Sequence, residues 1–496
     1  MKKVLLLLMT AAGFAANAHA QPALAEEIKS TIKARQLESH IGFLASDEMR
    51  GRATGSPELD IAASYIASRY VAYGVKPFAS APDFFQRFNL YRTFAPSEVA
   101  LKLADSSFTA GTTLAFVAGS DTSVSAPVVF AGYGNTDIEL DPKLVKGKIV
   151  VVLAGKTDDT TPTAVFMLAP EKRVRAQAAG AAGLIELYSH PQVPFHVLSR
   201  YLSAPKLDVP TGKTIPHVWV KETGKAWEAL LTTKRKKPLE ATVSVSGSKS
   251  VPVAARNVIG WAPGTDSALK NQFIVITAHY DHVGVKKSPA NADSIFNGAR
   301  DNGIGTAALL SAARYFTRSP GKRPVLFAAV TAEEEGLLGS KYFAAHPPVP
   351  AAVMVFNLNM DGAGYNDTSL ISVIGFDHVN SEALAKEAAE AFSLKAGGDP
   401  VPDQKLFYRT DHYHFALLGI PVASISTGIT GFDQAIMKYY HQAADEPQTL
   451  DYDYLEKYTQ AITYFARRLA DMKELPYWKE SSEFKKAGDA LYNRKK

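Results

Sequence analysis

Three apolar runs in the second half of this 496-residue chain end in residues that bind metals or move protons. Phe273-Ile274-Val275-Ile276-Thr277-Ala278 leads into His279-Tyr280-Asp281. Val325 to Val330 leads into Thr331-Ala332-Glu333-Glu334, and Val353 to Leu358 leads into Asn359-Met360-Asp361. If the runs are parallel strands of one open sheet, their carboxyl ends share a rim, which is where such sheets bind ligands. Asp301 and His441 extend the set to five, with successive separations of 22, 33, 27 and 80 residues. Imidazole nitrogen and carboxylate oxygen are the zinc ligands open to a chain that contains no Cys, and a catalytic zinc keeps one position open for water. Two metals about 3.5–4 Å apart, sharing one carboxylate, can clamp a hydrolytic water and a carbonyl together. Glu333, beside Glu334, is then available as a base.

Each of these residues also has a plain structural reading. His279 can be a satisfied histidine at a strand end. Asp301 can cap the helix that follows it. Glu333-Glu334-Glu335 can be an acidic first helical turn, Asp361-Gly362 a turn, and His441 a surface histidine. Their joint order along one block of the chain favours the metal site.

The elements that must position them follow from the pattern. From Ala254 to about Lys473, apolar β-type runs alternate with helical periodicity: strand Phe273–Thr277, helix Ile304–Thr317, strand Pro324–Val330, helix Glu335–Ala345, strand Ala352–Leu358, helices Glu382–Phe392 and His412–Leu418, strand Pro421–Ser426 and helix Tyr454–Met472. That alternation predicts an α/β domain, an αβα sandwich with a mostly parallel mixed sheet covered on both faces. Residues 21–94 contribute helices at Ile28–Ala45 and Pro57–Tyr73 around the polar Asp47–Ser56 loop. Residues 95–253 read as a small β-rich domain without chemistry, whose only histidines are His190, His196 and His217. Residues 474–496 read as a C-terminal tail.

Composition excludes several functions. Apolar residues make up 46% and charged residues 21%, as in an ordinary soluble globular chain. The net charge of +5 is a weak bias at this length, and the basic runs Lys234-Arg235-Lys236-Lys237 and Arg494-Lys495-Lys496 accompany no nucleic-acid-binding module. There is no Gly-x-Ser-x-Gly elbow, no P-loop and no His-Glu-x-x-His motif. Met1-Lys2-Lys3, an apolar stretch from Val4, and Ala18-His19-Ala20 have the form of a secretory signal, so cleavage is expected after Ala20 and the protein is expected in the periplasm or outside the cell. The apolar run is too short for a membrane anchor, which needs about 20 residues.

Five stretches together resemble the two-zinc peptidases of family M28, which include bacterial aminopeptidases. They are Ala278–Gly284, Gly298–Gly305, Ala332–Ser340, Asn359–Gly362 and Tyr440–Asp445, within residues 254–470, joined by the N-terminal Gly51–Ser56 segment. The resemblance implies that His279 and Asp361 hold one zinc, Glu334 and His441 the other, and that Asp301 bridges the two. It implies Glu333 as the general base, Asp281 as the acceptor that fixes the His279 tautomer, and Tyr440 as a donor to the oxyanion. Glu335 offers a one-residue slip of the base and ligand, but Gly336-Leu337-Leu338-Gly339-Ser340 fixes the register. His282 and His414 read as supporting rather than ligating residues, and Thr410-Asp411-His412 resembles a family segment near the substrate with no assigned role. The expected partner is a peptide or protein substrate. Aminopeptidase is the leading activity; carboxypeptidase, dipeptidase, glutaminyl cyclase and a non-catalytic binder use the same scaffold. Val128–Gly134, Val145–Val150 and Ala176–Gly183 resemble the protease-associated (PA) domain, which in this family implies an insert concerned with substrate access or protein interaction.

Overall fold

The structure, a computed structural model, describes residues 22–494 apart from 104–105, 160, 190–192, 211, 222–237, 287–291 and 363. The expected signal segment, His190 and the basic run 234–237 lie outside the described residues. The chain divides into two compact units, one built from the stretches up to Phe88 and from Ala254 onward, the other from Asn89–Val253.

In the first unit the strands lie in the order Lys395–Gly397, Leu370–Ile374, Val422–Thr427, Met354–Met360, Phe273–His279, Val325–Val330 and Lys249–Ala262. The four from Val422–Thr427 to Val325–Val330 are mutually parallel. Leu370–Ile374 and the Lys249–Ala262 strand pair antiparallel with their neighbours, so the sheet is mixed. Every residue of Phe273–His279 and of Val325–Val330 is buried. Both faces of these strands are therefore covered, which explains why they read as continuous apolar runs and not as alternating ones.

Helices Ala34–Leu44, Pro57–Tyr73, Ile304–Arg318 and Tyr452–Asp471 pack on one another, and His412–Leu417 packs on Leu338–Ala345. Local chemistry sets their ends. The Ser56 hydroxyl accepts the Leu59 N–H at 3.2 Å, Pro57 opens the helix, and Gly74 closes it with φ of +80°. The Asp451 carboxylate accepts the Tyr454 N–H at 3.0 Å. One apolar core draws on both stretches of the chain, from Ala25 to Phe84 and from Val258 to Phe484. The last residues are more than a tail: Trp478 and Phe484 are in that core, and Trp478 Nε1 donates to the Gly419 carbonyl at 2.8 Å.

The helix expected from Glu335 begins instead at Leu338. Glu333 to Leu337 form a tight turn in which Gly336 and Leu337 have φ of 105° and 60°. That turn holds the acidic residues off the helix.

The second unit has an eight-stranded mixed sheet with helices Pro162–Ala178 and Phe195–Ser203. His217, which has no acidic neighbour in sequence, is brought 2.9 Å from the buried Glu186, which also pairs with Lys172 at 3.1 Å.

Candidate metal centre

The parallel pairing aligns His279 with Val330 and Thr277 with Asn359, so the carboxyl ends of three adjacent strands meet at one edge. His279 is the last residue of the central strand, Asp361 directly follows Met354–Met360, and Glu333 and Glu334 lie on the turn after Val325–Val330. Asp301 comes from the segment before helix Ile304–Arg318. Its neighbour Asn302 takes over the helix-start contact, accepting the Gly305 N–H at 2.9 Å, and donates to the Met360 carbonyl at 2.8 Å. This leaves the Asp301 carboxylate free for the site. His441 follows the short helix Gln434–Met437. Ala332 and His441 both have left-handed φ, 55° and 53°. For residues other than Gly such backbone costs on the order of 1–3 kcal/mol and concentrates at functional sites.

Seen atom by atom, the five expected ligands form two groups that share Asp301. His279 Nε2 lies 3.3 Å from Asp301 Oδ1 and 3.3 Å from Asp361 Oδ1. His441 Nε2 lies 3.2 Å from Asp301 Oδ2 and 3.1 Å from Glu334 Oε2. Two ligands of one tetrahedral zinc, each bound at 2.0–2.1 Å, are roughly 3.3 Å apart. Donor types and separations therefore fit two metal positions, with one oxygen of Asp301 turned to each. His279 is only 1% exposed, whereas the His441 side chain is 32% exposed and borders the approach from solvent.

Electrostatics follow the same grouping. Burial opposes ionisation of Asp301, but bonds from His279 and His441 outweigh it and hold the carboxyl far below its ordinary range. Burial and the Asp301 charge also oppose ionisation of Glu334, yet bonds from His282 and His441 draw its carboxyl down. His441 rises to about 9 despite burial, through Asp301 and Glu334. Glu333 behaves in the opposite way. Burial, reinforced by Asp361 and Asp411 against the pull of His279, pushes its carboxyl well above the usual range.

The carboxylate of Asp281 does not face the His279 imidazole as expected. It lies 3.8 Å from Nδ1, while the main-chain carbonyl of Asp281 is at 3.2 Å. Instead the carboxylate accepts the main-chain N–H groups of Glu333 at 3.1 Å and Glu334 at 3.3 Å, and the Thr54 hydroxyl at 3.3 Å. A turn that cannot join the helix has unpaired N–H groups, and Asp281 satisfies two of them. It thus positions the Glu333-Glu334 turn.

Two supporting residues went unassigned in the sequence although both lie in the quoted motifs. The Asp445 carboxylate accepts the N–H groups of Arg300 and Asp301, and Arg300 Nη1. Arg52, 1% exposed, donates to the carbonyls of Tyr280 at 2.9 Å, Asn297 at 2.7 Å, Gly298 at 3.0 Å and Leu44. A left-handed turn brings it there: Gly51 has φ of +67°, and a Cβ on it would fall 2.3 Å from the Phe296 carbonyl oxygen.

A cleft opens on the two groups. Asp301, Glu333, Glu334, Asp361, Tyr440 and His441 line it, together with the apolar Ile374, Leu406, Ile429 and Phe432. Arg409 and Thr410 also line it, while Asp411 and His412 are fully buried. Tyr440 stacks on His441 with ring centroids 4.2 Å apart, and burial raises its phenol. Burial lowers His414 to about 4, and it belongs to neither ligand group.

Residues 257–466 match the family model of peptidase family M28. It is similar to aminopeptidase YwaD of Bacillus subtilis, 28% identical over 68% of this chain and 66% of the relative. It is also similar to aminopeptidase Y of Saccharomyces cerevisiae, 26% identical over 42% of this chain and 40% of the relative. The match thus spans just under two thirds of the first relative's length and less than half of the second's. Among solved structures, the aminopeptidase of Aneurinibacillus sp. strain AM-1 shares the fold, with a TM-score of 0.55 and 23% identity over 91% of this chain and 97% of that one. Among the described residues no helix is long and apolar enough to cross a membrane.

Proposed function

We propose that this chain is an exported two-zinc aminopeptidase. The observation that carries the reading is the division of Asp301: Oδ1 with His279 and Asp361, Oδ2 with His441 and Glu334. His279 and Asp361 would hold one zinc, Glu334 and His441 the other, with Asp301 shared. Bound there, zinc would supply Lewis acidity toward the substrate carbonyl and acidify a water.

The chain's own groups carry the protons. Glu333, which lines the cleft beside both groups, takes a proton from the attacking water and passes it to the leaving amine. The Tyr440 hydroxyl lines the same cleft and donates to the carbonyl oxygen as negative charge grows there. The acidic residues lining the cleft suit a free α-amino group, and its apolar residues suit the first side chain. Export rests on the N-terminal signal pattern. Residues 95–253, which resemble the PA domain and fall within the Asn89–Val253 unit, act in substrate access or partner binding.

The test is hydrolysis of amino-acid anilides with and without a chelator, alongside the same compounds with a blocked amine. Zinc-dependent cleavage of the free-amine compounds alone is expected. Cleavage that survives metal removal overturns the metal reading, and equal cleavage of blocked compounds overturns the aminopeptidase reading.

A further inference from the structure

His282 has no part in the chemistry above, yet it is 1% exposed and a ring nitrogen of it falls within the same cluster of metal-type donors as Asp301, Glu334 and His441. Its Nδ1 is 2.7 Å from Glu334 Oε1 and 4.0 Å from Asp301 Oδ2. These distances separate two roles. The ligand pairs His279–Asp301, His279–Asp361, His441–Asp301 and His441–Glu334 are 3.1–3.3 Å apart, as two ligands of one zinc should be. The His282 contact is shorter and of hydrogen-bond length. It also involves the other oxygen of Glu334, since Oε2 is the one beside His441. The ring is held where it is. The main-chain N–H of His282 donates to the Arg52 carbonyl at 3.1 Å. Gly298, at φ of +63°, packs so close that a Cβ on it would lie 2.6 Å from the imidazole carbons.

We propose that His282 is a positioning residue: its Nδ1, packed 2.7 Å from Glu334 Oε1, holds the carboxylate so that Oε2 is presented to the metal position formed with His441 and Asp301 Oδ2. Its closest approach is to Glu334, so its effect is greatest at that position. A carboxylate free to turn would present either oxygen or both, and groups behind metal ligands typically contribute 10–100-fold in affinity. The inference rests on the two-zinc reading.

The experiment measures zinc stoichiometry and stepwise affinity by chelator competition on the full chain, with Co²⁺ absorption spectra as a second readout. His282→Ala is expected to weaken one of two zinc ions by 10–100-fold and leave the other unchanged. His282→Gln, which keeps an N–H donor, is expected to recover part of the loss and to retain the wild-type Co²⁺ spectrum. Unchanged affinities in folded His282→Ala overturn the proposal. A Co²⁺ spectrum altered in His282→Gln in the way direct loss of a ligand alters it also overturns it, in favour of ligation. Failure of the wild-type chain to bind two zinc ions would instead overturn the reading on which the proposal rests.

Discussion

The Asp445 carboxylate receives the main-chain N–H of Asp301 at 3.2 Å, so the loop that carries His441 also fixes the backbone of the shared ligand. The same carboxylate accepts Arg300 through its main-chain N–H at 2.9 Å and through Nη1 at 3.1 Å. Removing one partner of a buried ion pair leaves the other charge unpaired, at a cost of about 3–5 kcal/mol. Asp445→Ala is therefore expected to lower unfolding free energy by about that amount in urea titrations run with chelator present. Wild-type stability in the variant would show that the pairing adds nothing.

Glu333→Gln preserves shape and removes the base. kcat on an anilide substrate should fall by about 10²–10⁴-fold, with zinc content and KM little changed. Glu335 is exposed and outside both ligand groups, so Glu335→Gln should remain close to wild type. Reversal of these two results would move the base and ligand one residue along.

Arg409 is exposed, lines the cleft and makes no ion pair among the described residues. A substrate carboxylate near the scissile bond would find it. Exposed pairs are worth up to about 1 kcal/mol, so Arg409→Ala should raise KM for dipeptides by no more than roughly 5-fold. Dipeptide amides should be unaffected, and equal changes for acids and amides would assign Arg409 another role.

His40 gives a pH dependence remote from the centre. Burial, with help from Arg69 and Arg314, lowers it from 6.5 to about 4. Its nitrogens lie 2.8 Å from the Tyr65 hydroxyl and 3.1 Å from that of Tyr73. Below pH 6.5 the unfolded chain takes up a proton that the folded chain refuses until about pH 4. This contribution to stability is complete above 6.5 and is lost as pH falls to about 4, on the order of 3 kcal/mol in total. Urea titrations at pH 7 and 4.5 should show a smaller loss for His40→Gln than for the wild type.

Much of the first unit was legible because its strands are buried on both faces and therefore read as unbroken apolar runs. The helix Pro57–Tyr73 declares itself through Ser56 and Gly74. Strands Leu370–Ile374 and Lys395–Gly397 were not read, being short and placed between stronger helical patterns. The candidate ligands stood out as a set because three of them follow strand ends. Geometry behind the ligands did not. Which group the Asp281 carboxylate serves depends on the path of the Glu333–Leu337 turn, and no local pattern states that path. Arg52 and Asp445 act on carbonyls and N–H groups far along the chain, which leave no trace in residue type.

The Arg52 bond to the Gly298 carbonyl spans 246 residues, and Gln460 reaches the Ile32 carbonyl across 428. The first unit is thus discontinuous in time as well as in sequence. A ribosome delivers its opening helices first, then the whole of Asn89–Val253, and only later the strands on which those helices close. Contacts of such long sequence separation carry a loop-closure entropy and slow folding. Until Ile304–Arg318 and Tyr452–Asp471 emerge, the core that Ile28, Ile41 and Ile66 enter is incomplete, and they remain available for wrong associations. The nascent chain therefore needs its apolar opening segment shielded for most of its synthesis, and truncations that stop short of Tyr452–Asp471 should aggregate and not yield a smaller folded domain.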